Sequence, residues 1–398
     1  MKPLSGRGLV LALSIGEVGT LLPNLSFVAL TPLFISEWRI SNADAGWIAG
    51  IAAFGYMASV PVLMSLTDRI DARRVFLAGA ALTAFSHLGF ALSAQGFWTG
   101  FFWRGLSGIG LAGTYMPGLK ILTDRHPTGD TSRAVSFYTA TYSVGVSLSY
   151  LFTGLLTAAY GWRVGIGILA LGPLGALLIA LAVAGPKAPL PREERRLLDF
   201  RPVVTNPRAL GYILAYAAHG FELTAVRAWL VAFLAFAALS AGSSANHGAT
   251  VIAAVFSVIG LPANVLGNEL ALRFGRRRTL IVITLASAAL SAGFGFVAGL
   301  PYAVVVGLIL VYGVTLTADS GAITSGAVAS AAAEAQGATM AVHSSVGFAA
   351  AFLGPLAVGI ALDAGGGQAA PVAWTMAFLV IACGAALGPL ALWLLARE

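Results

Sequence analysis

The chain has 398 residues, 58% of them hydrophobic and only 10% charged, whereas soluble domains carry about 25% charged residues. That deficit excludes an ordinary soluble protein and identifies an all-α integral membrane protein. The formal charge of +7 does not indicate nucleic-acid binding, because the sidedness of the loops and anionic lipid at the inner surface account for it.

A spanning helix needs about 20 mostly apolar residues. Runs of that length recur nearly end to end, so no soluble domain fits between them. In chain order they predict twelve spans, at residues 9–34, 45–66, 74–94, 97–121, 133–159, 162–184, 209–236, 247–270, 279–299, 301–324, 338–362 and 372–395. The narrowest separations fall around Gln95 and Leu300. Lys2 and Arg7 precede the first run, which is longer than a secretory h-region and has no clear cleavage site. It is read as a retained first span. Cys383 is the single cysteine, so no intrachain disulfide is expected.

An even number of spans puts both termini on one side. Assigning the N-terminus, alternate loops and Arg397 to one face collects every Lys and Arg except Arg39, Arg104, Arg163 and Arg227, which is 23 − 4 = 19 of 23. Positive charge stays in the cytoplasm, so both termini are expected there, in a bacterial cytoplasmic (inner) membrane. Arg39 and Arg163 fall on the opposite face, and Arg104 and Arg227 sit inside spans.

The longest polar interruption, residues 185–208, contains prolines, mixed charges and the surface-helix candidate "REERRLLDF" at 192–200. It divides the chain into an N-terminal six-helix bundle (1–184), a cytoplasmic linker (185–208) and a C-terminal six-helix bundle (209–398). The halves repeat. Met64–Val75 and Asn268–Thr279 align with a constant offset of 204, matching Leu66 with Leu270, Arg69 with Arg273, Arg73 with Arg277 and Arg74 with Arg278. "SVG" recurs at 143–145 and 345–347. Twelve spans in two parallel halves around a connector describe a carrier that rocks about a central site.

On these residues the chain resembles a major facilitator superfamily transporter over essentially its whole length. The family's loop signature after spans two and eight is Gly-x-Leu-Ala-Asp-Arg-x-Gly-Arg-Arg. The second copy keeps Leu270, Ala271, Arg273, Gly275, Arg276 and Arg277, with Asn268 and Leu272 at the first glycine and the acid. The first copy keeps Asp68 and Arg69, with Asp71 and Ala72 in place of Gly-Arg. The resemblance implies a cytoplasmic gate built from Asp68, Arg69, Arg73, Glu269, Arg273, Arg276 and Arg277. A plain positive-inside anchor is the alternative reading of these arginines. "RGLSGIGLAG" at 104–113 resembles the family's fourth-span pattern, in which the arginine is associated with proton coupling. Span five lacks the Gly-Pro dipeptide of many family antiporters, which favours uptake over drug efflux.

The resemblance further implies that spans one, four, seven and ten line the cavity, and the intramembrane charges concentrate there. They are Glu17, Arg104, His219, Glu222, Arg227 and Asp319. Such groups are costly unless they face water or a partner, and so default to functional roles. Glu17 and Glu222 are 205 apart, and Asp319 is 204 beyond Tyr115. At 100° per residue, His219, Glu222 and Arg227 share one side of span seven. His219 and Glu222 are three apart and expected to hydrogen-bond, with the histidine able to pass a proton. Arg227 is expected to grip an anionic group through its planar fork.

The expected assignment is therefore proton coupling by Glu17, Glu222 and His219. Substrate contacts are expected from Arg104, Arg227, Tyr115, Asn24, Asp319 and Ser320. A structural charge network is the bland alternative for the span-seven residues, and a structural ion pair or a helix-breaking kink near Pro23 and Asn24 for Glu17. Neither metal ligands in a cluster nor a phosphate-binding glycine loop is recognisable, so the driving force is expected to be the proton gradient, without a cofactor. The chain is read as a secondary transporter and not an enzyme, a monomer in lipid that moves a small anionic solute with protons. A proton-coupled exporter of cationic or amphipathic compounds is the first alternative, and a non-transporting scaffold the second.

Overall fold

The structure, a computed structural model, describes residues 6–67, 69–126, 132–183, 185, 200–243, 248–332 and 335–397. Asp68 and residues 192–199 of the expected surface helix lie outside them.

Among the described residues every regular element is a helix. In chain order these are α1 (Gly6–Leu21), α2 (Ser26–Ala29), α3 (Thr31–Trp38), α4 (Asn42–Leu66), α5 (Ala72–Ser93), α6 (Phe97–Arg125), α7 (Ser132–Tyr160), α8 (Trp162–Leu169) and α9 (Leu171–Val183). They continue with α10 (Arg201–Val204), α11 (Pro207–Ser240), α12 (Ala249–Phe274), α13 (Arg276–Phe294), α14 (Tyr302–Thr317), α15 (Ser320–Ser330), α16 (Gln336–Ala364) and α17 (Pro371–Leu395). Among the described residues ten stretches are long and apolar enough to cross a bilayer, counting α8 with α9 and α14 with α15 as one each. The other two expected spans are the first, which is broken, and α6.

The break in the first span has a local cause. Pro23 has no N–H and cannot continue the helical ladder, so Leu22–Leu25 forms turns before α2 begins. The Leu25 N–H is taken instead by the Ser149 hydroxyl of α7 at 3.0 Å. The tenth span is interrupted at Ala318–Asp319, which leaves Asp319 at the N-cap of α15. Asn264 of α12 accepts the Gly321 N–H there at 2.9 Å. By contrast α11 runs unbroken for 34 residues, about 51 Å at 1.5 Å per residue and well beyond the roughly 30 Å apolar core of a bilayer. Asn206 caps its start through the Ala209 N–H, and Pro207 occupies the first turn, where a missing donor costs nothing.

Packing separates the chain into two units, Met1–Leu30 with Ile51–Glu194, and Thr31–Gly50 with Arg195–Glu398. The first is centred on Leu9, Leu13, Phe76, Ile121, Tyr138 and Ala176. Its α5–α6 crossing depends on Gly79 and Gly113, since a Cβ on either would overlap the backbone of the other. Small residues at such crossings let helices approach closely. The second has one core around Tyr212, Leu280, Ile323 and Leu392. It also has an aromatic cluster in which Phe233 packs edge-on against Phe294, Trp374 and Phe378 at 5.3–5.8 Å and 4.7 Å.

The start of α4 belongs to the second unit because Asp363, near the end of α16, caps it. The carboxylate accepts from the N–H groups of Asn42 (3.1 Å) and Ala43 (2.8 Å) and from the Asn42 amide (2.7 Å). Gln368 in turn donates to the Asn42 side-chain oxygen at 2.7 Å. Here a carboxylate meets the free N–H groups and the positive end of a helix dipole. Replacing Asp363 with alanine is expected to destabilise the detergent-solubilised protein by about 1 kcal/mol, read as a lowered melting temperature. No change would mean that solvent caps α4 equally well.

Candidate functional site

In the first unit Glu17 is completely buried on α1. The Tyr138 hydroxyl of α7 donates to its Oε2 at 3.0 Å and also lies 3.1 Å from the Tyr115 carbonyl. Glu17 Oε1 has no hydrogen-bond partner among the described residues. Tyr115 extends the group, stacking on Tyr138 at 6.1 Å and meeting Tyr142 edge-on at 5.4 Å.

Arg104 is 4% exposed and is tied to the break in the first span. It donates to the Asn24 carbonyl at 2.7 Å, one of the acceptors that the interrupted ladder leaves available. Asn24 therefore engages Arg104 through its backbone, and Arg104 Nε has no hydrogen-bond partner among the described residues. No ion pair joins Arg104 to Glu17 among the described residues.

In the second unit, α11 presents His219 and Glu222, both buried. The hydrogen bond expected between them is replaced by contacts to other helices. His219 Nδ1 lies 2.8 Å from Asp319 Oδ1, with both side chains 4% exposed. The pair has the distance of an ion pair without the angles of an in-line hydrogen bond, and it is a charge pair when the imidazole is protonated. Glu222 Oε1 accepts from Ser287 of α13 at 2.7 Å and from Tyr312 of α14 at 2.8 Å. The physical reason is directional. Residues three apart on a helix diverge by about 60°, so partners reaching in from α13, α14 and the α14–α15 break are better placed than the neighbour on the same helix.

Tyr216, one turn before His219, lies nearly parallel to two imidazoles, at 5.9 Å from His219 and 3.9 Å from His343 of α16. His343 Nε2 lies 3.4 Å from the Thr324 hydroxyl. Nothing in its own segment marks His343, a single titratable residue in an apolar run. The repeat contained a signal that would have found it: His343 is 205 residues beyond Tyr138, the same offset that relates Glu222 to Glu17. Arg227 is half-buried farther along α11, and Ser320 is half-buried at the start of α15.

Of the expected gate residues, Asp68 lies outside the described residues, and Arg69, Glu269 and Arg273 are exposed. Arg273 covers the Phe274 ring at 5.3 Å, and Arg276 is half-buried. Arg73 and Arg277 perform the same task in their respective units. Arg73 donates to the Ala180 and Leu181 carbonyls at 3.3 and 3.1 Å, and Arg277 to those of Leu392 and Trp393 at 3.0 and 2.9 Å. Each places a cation at a helix C-terminus, where the dipole favours it. A charge contact that sequence reasoning missed lies alongside. Asp71 caps α5 through the Arg73 N–H and pairs with Arg125 at 2.7 Å. No group of three or more potential metal ligands occurs among the described residues.

A sequence model of the Major Facilitator Superfamily matches residues 12–355. Among curated relatives, the benzoate transport protein of Acinetobacter baylyi is 25% identical over 140 residues, covering 33% of this chain and 29% of that one. The chain spans about a third of the length of the curated relatives it matches. Among solved structures, a bacterial homolog of the human lysosomal transporter Spinster, inward-facing and unoccupied, superposes with a TM-score of 0.80 at 18% identity, covering 98% of each chain. A nucleoside transporter superposes with a TM-score of 0.81 at 14% identity, covering 98% of this chain and 100% of that one. At such identities the likeness concerns the fold.

Proposed function

We propose a proton-coupled carrier of a small organic anion: the chain belongs to the Major Facilitator Superfamily and is a multi-pass membrane transporter, not an enzyme. The observation carrying the proposal is the pair of buried carboxylates, Glu17 and Glu222, each receiving a tyrosine hydroxyl and lying on the first long helix of its half. Burying a charged carboxylate without a compensating cation costs several kcal/mol. A proton removes that cost, so gain and loss of a proton can be linked to gain and loss of water. His219 and Asp319 add a second titratable pair one turn from Glu222.

The anionic cargo rests on Arg104 and Arg227. Arg104 is buried, and among the described residues its hydrogen-bond acceptor is a backbone carbonyl; a planar guanidinium suits a carboxylate. The benzoate transport protein among the relatives is consistent with an organic carboxylate. Asn24, Tyr115, Asp319 and Ser320 complete the proposed substrate contacts. We place both termini in the cytoplasm of a bacterial cell, with twelve spans in two six-helix bundles, supported by the one-sided distribution of Lys and Arg. The exposed arginines and Glu269 at the ends of α4 and α12 are proposed to work as the cytoplasmic gate.

Proteoliposome uptake under an imposed pH gradient tests the reading. Small carboxylates are expected to accumulate, and a protonophore to abolish the accumulation. Arg227→Glu is expected to reduce binding of anionic ligands at least tenfold. If it instead spares them while cationic compounds exchange for protons, the exporter reading replaces this one.

A further inference from the structure

Away from the buried charges, the first unit carries a cavity of about 440 Å³ between α5 and α8–α9. Its walls include Leu88, Ala91 and Leu92 on one side and Val164, Ile168 and Leu171 on the other. Leu92 is 80% exposed and Leu171 58%, so the opening is on the lipid-facing surface. From Val164 to Leu171 the groove follows the helix for about 10 Å at 1.5 Å per residue.

Arg163 stands at its mouth. It lies in the first turn of α8 and reaches the end of α5, the level at which both expected spans stop. Two of its nitrogens donate to the Ala91 and Ala94 carbonyls at 3.0 Å each, and its guanidinium lies 4.2 Å from the Trp162 ring. A guanidinium has five N–H donors, so several remain for another acceptor. No carboxylate pairs with it among the described residues. Tryptophan beside it and exposed Tyr160 are the residues expected at a membrane interface.

We propose that this groove is a phospholipid site, in which one acyl chain lies along α8 while Arg163 holds the phosphate. An apolar groove alone would accept any alkyl chain. The unpaired cation at the interface selects one attached to an anion, and a guanidinium binds phosphate oxygens in a fixed fork. Gly167 makes the site separable from the fold. It lines the cavity, and a Cβ built on it meets no atom within 4 Å. A larger side chain there enters the groove and not the protein, and it replaces a residue that weakens helices.

The test uses delipidated full-length protein in detergent, titrated with phosphatidylglycerol or with diacylglycerol of the same chains, with bound molecules counted by native mass spectrometry. The wild type is expected to retain one phosphatidylglycerol at least tenfold more tightly than diacylglycerol. Arg163→Gln is expected to lose that preference. Gly167→Phe is expected to lose the bound lipid at an unchanged melting temperature, with the Arg163 contacts intact. Equal retention of phosphatidylglycerol by the wild type and Gly167→Phe would overturn the site and leave only surrounding bulk lipid. Loss in Gly167→Phe without any wild-type preference for the phosphate would overturn the role of Arg163.

Discussion

Replacing Glu222 with glutamine is expected to abolish accumulation driven by a pH gradient while leaving exchange of substrate across the membrane. Glutamine has the same shape, and its carbonyl oxygen can still accept from Ser287 and Tyr312, which now reach Glu222 Oε1 at 2.7 and 2.8 Å. With both donors still satisfied, the stability change should stay within about 1 kcal/mol. What the variant cannot do is alternate between a charged and a neutral form. Net uptake under a gradient should therefore fall at least tenfold, and substrate counterflow without a gradient should remain within about twofold of wild type. Tyr312→Phe provides a graded comparison, removing one donor and about 1 kcal/mol without removing the titratable group. Gradient-driven uptake by Glu222→Gln at the wild-type rate would exclude Glu222 from coupling. Glu17→Gln separates the two units: equal losses in both variants would indicate two required protons, and a loss in only one would locate the coupling site.

The fold was legible where it is a matter of apolar length. Helix limits follow the expected separations closely, with α5 ending at Ser93 and α6 starting at Phe97 around Gln95, and α13 and α14 flanking Leu300. Breaks inside spans were less visible. Pro23 gives a chemical reason for the first, whereas the interruption at Ala318–Asp319 has no proline to mark it, only small polar residues such as Thr317 and Ser320. Which buried charges exist could be read from the sequence, but their partners could not. His219 meets Asp319 one hundred residues away, and Ser287, Tyr312 and His343 are unremarkable in their own segments. Hydropathy shows that a helix is buried but carries no information on which neighbour faces each residue. The internal repeat partly fills that gap, because it relates Arg73 to Arg277 and Tyr138 to His343 across halves that differ almost everywhere else.

The contact between His219 and Asp319 leads to the second prediction, which turns on an asymmetry. Breaking a buried ion pair usually costs about 3–5 kcal/mol, because the remaining partner keeps an uncompensated charge. Here the two partners differ in what they can do when alone. A solitary buried histidine is left without a charge simply by giving up its proton, the form that burial favours, so Asp319→Asn should cost only about 1 kcal/mol. A solitary Asp319, 3% exposed and near the carboxylate of Glu222, is left as a buried carboxylate without its cation. His219→Ala should therefore cost about 3 kcal/mol or more, and adding Asp319→Asn should recover much of it. Unfolding of the two single variants and the double variant at neutral pH gives the coupling energy directly. Losses that simply add would show that the 2.8 Å contact is not a charge pair. A larger loss for Asp319→Asn than for His219→Ala would show that the imidazole holds its proton even without its partner, and would leave the mobile proton to the carboxylates Glu17 and Glu222.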